Sequence, residues 1–165
     1  MGGVSTDTYV VERSTTIAAD PQAIYDRLVD FRAWLNWSPW EDLDPAQVRS
    51  FTGAESGVGA GYAWSGNRKA GRGSMQITHA EAPKEVRIAL DFEKPFKSAN
   101  TIHFFLTPEG PNSTRVRWSM VGPKTLATKV MGLFTSMDKM IGPDFEKGLA
   151  RLKAIAEAPD PASGT

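Results

Sequence analysis

The chain has 165 residues, 19 of them Lys or Arg and 19 Asp or Glu, giving a formal net charge of zero, and it has no cysteine. The balance of charge supplies no basic field for a phosphate backbone, so nucleic-acid binding is disfavoured. The lack of thiols excludes disulfides, thiolate metal sites and a cysteine nucleophile, and fits a reducing compartment.

A chain of this length is expected to form one domain that buries roughly two-thirds of its unfolded surface. Residues 8–157 read as that domain, with 1–7 and 158–165 as disordered flanks. Tyr9 to Ile17 is rich in β-branched residues and predicts a first strand. Asp20-Pro21 is a helix start, because Asp caps free N–H groups and Pro costs nothing at the first helical position. Ile24, Leu28 and Phe31 follow at helical spacing. A second short helix is expected over Asp30–Asn36, ended by Trp37-Ser38-Pro39-Trp40, since Pro disfavours helix at the residue before it.

Val48–Thr52 predicts another strand. The segment 53–61, with Gly53, Gly57, Gly59 and Gly61, must be a loop, and it lacks the spacing of a phosphate cradle. Tyr62–Ser65 and Gly71–Glu81 read as strands joined by a turn at Gly66-Asn67-Arg68-Lys69. Glu85–Glu93 carries the cleanest pattern. Val86, Ile88, Leu90 and Phe92 alternate with Glu85, Arg87, Asp91 and Glu93, one dry face against one wet face. Lys97–Thr107 should turn Asn100, Ile102, Phe104 and Leu106 inward and His103 and Phe105 outward. Thr114, Val116, Trp118 and Met120 alternate with Arg115, Arg117 and Ser119 in a last strand. A long amphipathic helix is then predicted from Thr125 to Glu157, kinked or broken at Gly142-Pro143 because Pro removes an internal hydrogen bond.

The motifs in this order resemble the START-like superfamily, also called SRPBCC or polyketide cyclase/dehydrase-like. They are Val11-Glu12-Arg13-Ser14, Ala19-Asp20-Pro21, Trp37-Ser38-Pro39-Trp40-Glu41, Gly59–Gly66, Thr114–Trp118 and Gly142–Leu149. The resemblance implies an α+β helix-grip fold, a curved antiparallel sheet of about seven strands wrapped around a C-terminal helix with a pocket between them. It also implies a small hydrophobic ligand such as a lipid or polyketide, but a fold with so many uses does not choose an activity.

Candidate chemistry is sparse. No G-x-S-x-G and no dinucleotide fingerprint occur, and the two histidines, His79 and His103, read as surface or rim residues, so no metal and no cofactor are expected. Apolar and aromatic side chains dominate the predicted inner faces. The expected ligand-binding residues are Trp37, Trp40, Tyr62, Trp64, Met75, Ile77, Leu90, Asn100, Phe104, Trp118, Met120, Phe134 and Met137. Aromatics bury large areas, Met adapts to varied ligands, and an inward Asn100 must find a hydrogen-bond partner in the protein or in a ligand.

Binding of a small hydrophobic or aromatic molecule is therefore the leading expectation. A cyclase/dehydratase using two of Tyr62, His79, Asn100 and Asp138 is the first alternative, and a co-chaperone-like interaction module the second. No apolar run approaches the ~20 residues that cross a bilayer, and no signal-peptide pattern opens the chain. A cytoplasmic monomer or weak homodimer without stable membrane insertion is expected.

Overall fold

The computed structural model describes residues 8–41, 43–68, 70–94, 97–123 and 137–158. Seven strands form one antiparallel sheet: β1 (Thr8–Ile17), β2 (Val48–Thr52), β3 (Gly61–Ser65), β4 (Arg72–Glu81), β5 (Glu85–Lys94), β6 (Ser98–Pro108) and β7 (Thr114–Pro123). Their spatial order is β1-β7-β6-β5-β4-β3-β2. The sheet thus runs as a meander from β2 to β7, and β1 returns to pair with β7.

Two short helices, α1 (Pro21–Leu28) and α2 (Phe31–Trp34), follow β1, and α3 (Met137–Glu157) closes the fold. Capping starts both short helices as expected. The Asp20 carboxylate accepts from the Gln22 N–H at 3.1 Å and that of Asp30 from the Arg32 N–H at 2.9 Å. α3 continues through Gly142-Pro143 without a break. The part of the predicted long helix that precedes Met137 lies outside the described residues. Among those described, no helix is long and apolar enough to cross a membrane.

Alternation in the strands decides the core. Rows of facing residues cross the concave side, such as Ile77–Ile88–Ile102–Met120–Val11 and Val86–Phe104–Trp118. The helix side contributes Ile24, Leu28, Phe31, Trp34, Phe145, Leu149 and Leu152, all buried. This is the helix-grip arrangement. Its centre is aromatic: Trp118 stacks on Phe145, and Trp34 and Trp37 meet Trp118 and Phe104 edge-on.

One strand departs from simple alternation. Thr78 is an extra residue in β4, since Ile77 faces Ile88 while His79 faces Arg87. The bulge turns His79 away from the Gly73–Met75–Ile77 face on which a strict two-residue period would put it.

Candidate functional site

A cavity of about 170 Å³ opens at one end of the grip. Its floor is the concave sheet: Tyr62 of β3, Met75 of β4, Leu90 and Phe92 of β5, and Met120 of β7. Its roof is Ile141 of α3, and its wall is the loop from α2 to β2, through Ser38, Trp40, Glu41, Leu43 and Gln47. Trp64 and Ala70 complete it from the β3–β4 hairpin.

Local sequence explains why these elements converge. Gly73 has no side chain, and a Cβ there would stand 2.7 Å from the Trp64 ring. The indole therefore lies across β4 and meets Phe92 edge-on at 5.8 Å, while its N–H donates to the Ala70 carbonyl at 2.8 Å. Asp44 ties the loop to the same hairpin, because its carboxylate accepts from the N–H groups of Ala46 and Asn67 at 2.9 and 2.8 Å. Trp40, half-buried, packs edge-on against Trp118 and Phe145 and turns the rest of its surface to the cavity.

The polar end is a three-residue array. The Tyr62 hydroxyl donates to Glu41 Oε2 at 2.9 Å, and the Arg49 Nε–H donates to Glu41 Oε1 at 2.6 Å. The Glu41 side chain is only 12% exposed, so Arg49 supplies the counter-charge that such burial requires. Burial, and then the Glu41 carboxylate, push the Tyr62 phenol well above its usual range. Tyr62 is thereby kept as an O–H donor throughout the physiological range. The hydrogen bond to Glu41 raises the pKa of Arg49 further.

No curated protein matches the chain. The profile of the family described as "Polyketide cyclase / dehydrase and lipid transport" matches residues 8–157. The chain belongs to that family. Solved structures agree on the fold. Norcoclaurine synthase from Thalictrum flavum, in complex with dopamine and hydroxybenzaldehyde, has a TM-score of 0.67 at 12% identity, over 93% of this chain and 89% of that one. A protein from Mesorhizobium loti has 0.61 at 22%, over 93% and 98%. The Aha1 dimer from Colwellia psychrerythraea has 0.59 at 17%, over 92% and 99%.

In this polyketide cyclase/dehydrase family member, the residues singled out from sequence separate into three groups. Trp40, Tyr62, Trp64, Met75, Leu90 and Met120 line the cavity. Trp37, Ile77, Asn100, Phe104 and Trp118 do not; all five are buried in the packed core. Phe134 and the Met137 side chain lie outside what is described. Trp37, expected among the ligand-binding residues, is 1% exposed. The indole N–H groups of Trp37 and Trp118 are buried without a hydrogen-bond partner among the described residues.

Asn100 is fully engaged. It accepts from the Tyr9 hydroxyl at 2.5 Å and donates to the Leu90 carbonyl and the Ser98 hydroxyl at 3.3 and 3.1 Å. Burial pushes the Tyr9 phenol up to about 12.

The other candidates for chemistry lie elsewhere. Asp138 is ion-paired with Arg13 at 2.7 Å on the outside of α3. His103 accepts from Arg87 Nε–H at 2.9 Å and stacks on Phe105 on the convex face. Burial and the Arg87 charge lower its pKa. His79, Glu81 and Glu85 bring their donor atoms within 4.8 Å of one another at the β4–β5 turn, where Glu85 also faces Arg87 at 3.6 Å.

Sequence reasoning missed Ser38, Glu41, Leu43, Gln47, Ala70, Phe92 and Ile141. Glu41 had one usable signal, its place directly after Trp40 in the Trp37–Glu41 motif. Gln47 had none.

Proposed function

We propose that the cavity binds a small hydrophobic or aromatic molecule. The observation that carries this reading is a half-open hollow walled by Trp40, Trp64, Phe92, Met75, Leu90 and Met120, with polar groups gathered at one end. Ligand sites combine apolar walls with a few convergent polar groups in this way. Family membership supports the same reading at the level of class.

A thermal-shift screen followed by native mass spectrometry, with lipids, polyketide fragments and aromatic metabolites, tests it. A bound species that protects Trp40 and Trp64 fluorescence from quenching is the expected result. Silence across the whole panel would sink the proposal.

The cyclase/dehydratase reading needs two of its four named groups at one cavity. Tyr62 alone of the four lines it, so that reading now rests on Tyr62 working with Glu41. Turnover of an enolisable substrate that is lost in Tyr62→Phe would move the assignment from binding to catalysis.

A further inference from the structure

The polar inventory of the cavity limits what its occupant can be. Among the described lining residues Glu41 is the one carboxylate, and none is Lys, Arg or His. A carboxylate offers about four lone-pair positions. Arg49 and Tyr62 leave Glu41 Oε2 with room for a further donor.

Gln47 is 8% exposed, and among the described residues its side-chain amide makes no hydrogen bond. Its backbone N–H is used, donating to the Asp44 carbonyl at 3.1 Å. The amide keeps some accessible surface and lines the cavity, so its donor and acceptor are open to an occupant. Ser38 adds a hydroxyl, 3% exposed as a residue, which among the described residues accepts one long 3.4 Å contact, from the Trp40 N–H.

Size adds a second limit. The cavity holds about 170 Å³, and a cavity of about 150 Å³ takes a single benzene ring. A fused polyketide or a long acyl chain would have to leave most of its length outside.

We propose that the site selects an uncharged single-ring compound carrying an N–H or O–H donor beside a carbonyl, and rejects the corresponding carboxylic acids. The inference rests on the pocket reading above and gives it a ligand class. The ring occupies the space between Trp40, Trp64 and Met75. The donor group bonds to Glu41 Oε2, and the Gln47 amide answers the carbonyl. An anion in the same place would meet the Glu41 carboxylate, whose partner Arg49 already bonds Glu41 Oε1 and lies outside the described lining, and would lose its water as well.

Three isosteric probes separate the possibilities at pH 7: benzamide, acetophenone and benzoate, titrated into the full chain by ligand-observed NMR. Benzamide is expected to bind about tenfold more tightly than benzoate, the scale of one charge-assisted hydrogen bond gained or lost. Acetophenone, which keeps the carbonyl but lacks the donor, is expected between them. In Gln47→Leu, benzamide and acetophenone, which share the carbonyl that Gln47 answers, should both weaken by about the same factor while the fold and Tm are kept. In Glu41→Gln, benzoate should gain relative to benzamide.

Equal binding of benzamide and benzoate, or an unchanged affinity for benzamide in Gln47→Leu, overturns the inference and leaves the pocket reading standing. No binding of any of the three also overturns it. If the wider panel is silent too, the pocket reading falls with it.

Discussion

Trp118 of β7 and Phe145 of α3 stack face to face, with centroids 4.1 Å apart and planes 6° from parallel. This contact joins β7, the strand next to the β1 edge, to the closing helix, and Gly148 makes it achievable. A Cβ at position 148 would stand 2.9 Å from both the Trp118 ring and Pro39. Neither neighbour is a flexible chain end that could swing aside.

Gly148→Ala therefore should destabilise the protein by about 1–3 kcal/mol, the usual cost of overpacking. Helix propensity alone predicts the opposite sign, a gain of up to about 1 kcal/mol for Ala over Gly. Urea denaturation followed by tryptophan fluorescence decides between them. A more stable variant would show that the Trp118–Phe145–Pro39 contact yields easily.

Trp118→Ala removes the ring at the centre of the aromatic cluster and should cost about 3–5 kcal/mol. Because Trp118 does not line the cavity, ligand affinity measured on the folded fraction should change little. A large loss of affinity at unchanged stability would contradict this placement.

The Tyr9–Asn100 hydrogen bond spans β1 and β6 across Gly122 of β7, which lies between them. Tyr9→Phe leaves a buried acceptor and Asn100→Leu a buried donor, and each should cost about 1–3 kcal/mol. A double-mutant cycle should return a coupling of about 0.5–3 kcal/mol, so that the double variant is less unstable than the sum. Strict additivity would mean that the two groups do not satisfy each other.

At the cavity, Tyr62→Phe removes a donor from the Glu41 carboxylate while Arg49 remains. The expected loss is about 1 kcal/mol in chemical denaturation. A loss above about 4 kcal/mol would indicate that the ring itself had moved, as such values do for core disruption.

Arg13 of β1 clamps α3 by donating to Asp138 and to Glu146, at 2.7 and 2.8 Å. The hydrogen bond from Arg13 holds the Asp138 carboxyl below its ordinary value. A depressed carboxyl contributes stability above its unfolded pKa, about 3.9, and loses it as pH falls through the lower folded value. The clamp is solvent-accessible, so salt should weaken it as well. Arg13→Met should therefore lie below the wild type in Tm at neutral pH and low salt. The gap should begin to close as pH falls below about 4 and vanish once pH is below the lowered folded value of Asp138, and it should also close in about 1 M NaCl, where screening lengths shrink to ~3 Å. A gap that survives both conditions would assign the effect to packing.

Much of this architecture was legible in the residues themselves. The alternation of Val86, Ile88, Leu90 and Phe92 determined which side of β5 is dry, because a strand with one buried face admits no other register. Asp20-Pro21 set the start of α1 by local chemistry alone. His79 lies at the surface, as read, but the reason was not legible: a strict two-residue period would put it on the Ile77 face, and the one-residue bulge at Thr78 that turns it outward leaves no mark in composition.

What tertiary structure alone decided is the division between core and cavity. Trp37 and Trp40 stand three positions apart and look alike in sequence, yet one is sealed beneath Trp34 and Trp118 and the other borders the hollow. An inward Asn100 was readable from period, but Tyr9 as its partner was not, because 91 residues separate them. Glu41, Arg49 and Tyr62 come from a loop and two strands, and only their convergence makes a buried carboxylate affordable and sets it at the cavity wall. Periodicity along one chain reports which face is dry. Whether a dry face meets another side chain or an empty space depends on how separate segments pack, and no single segment carries that information.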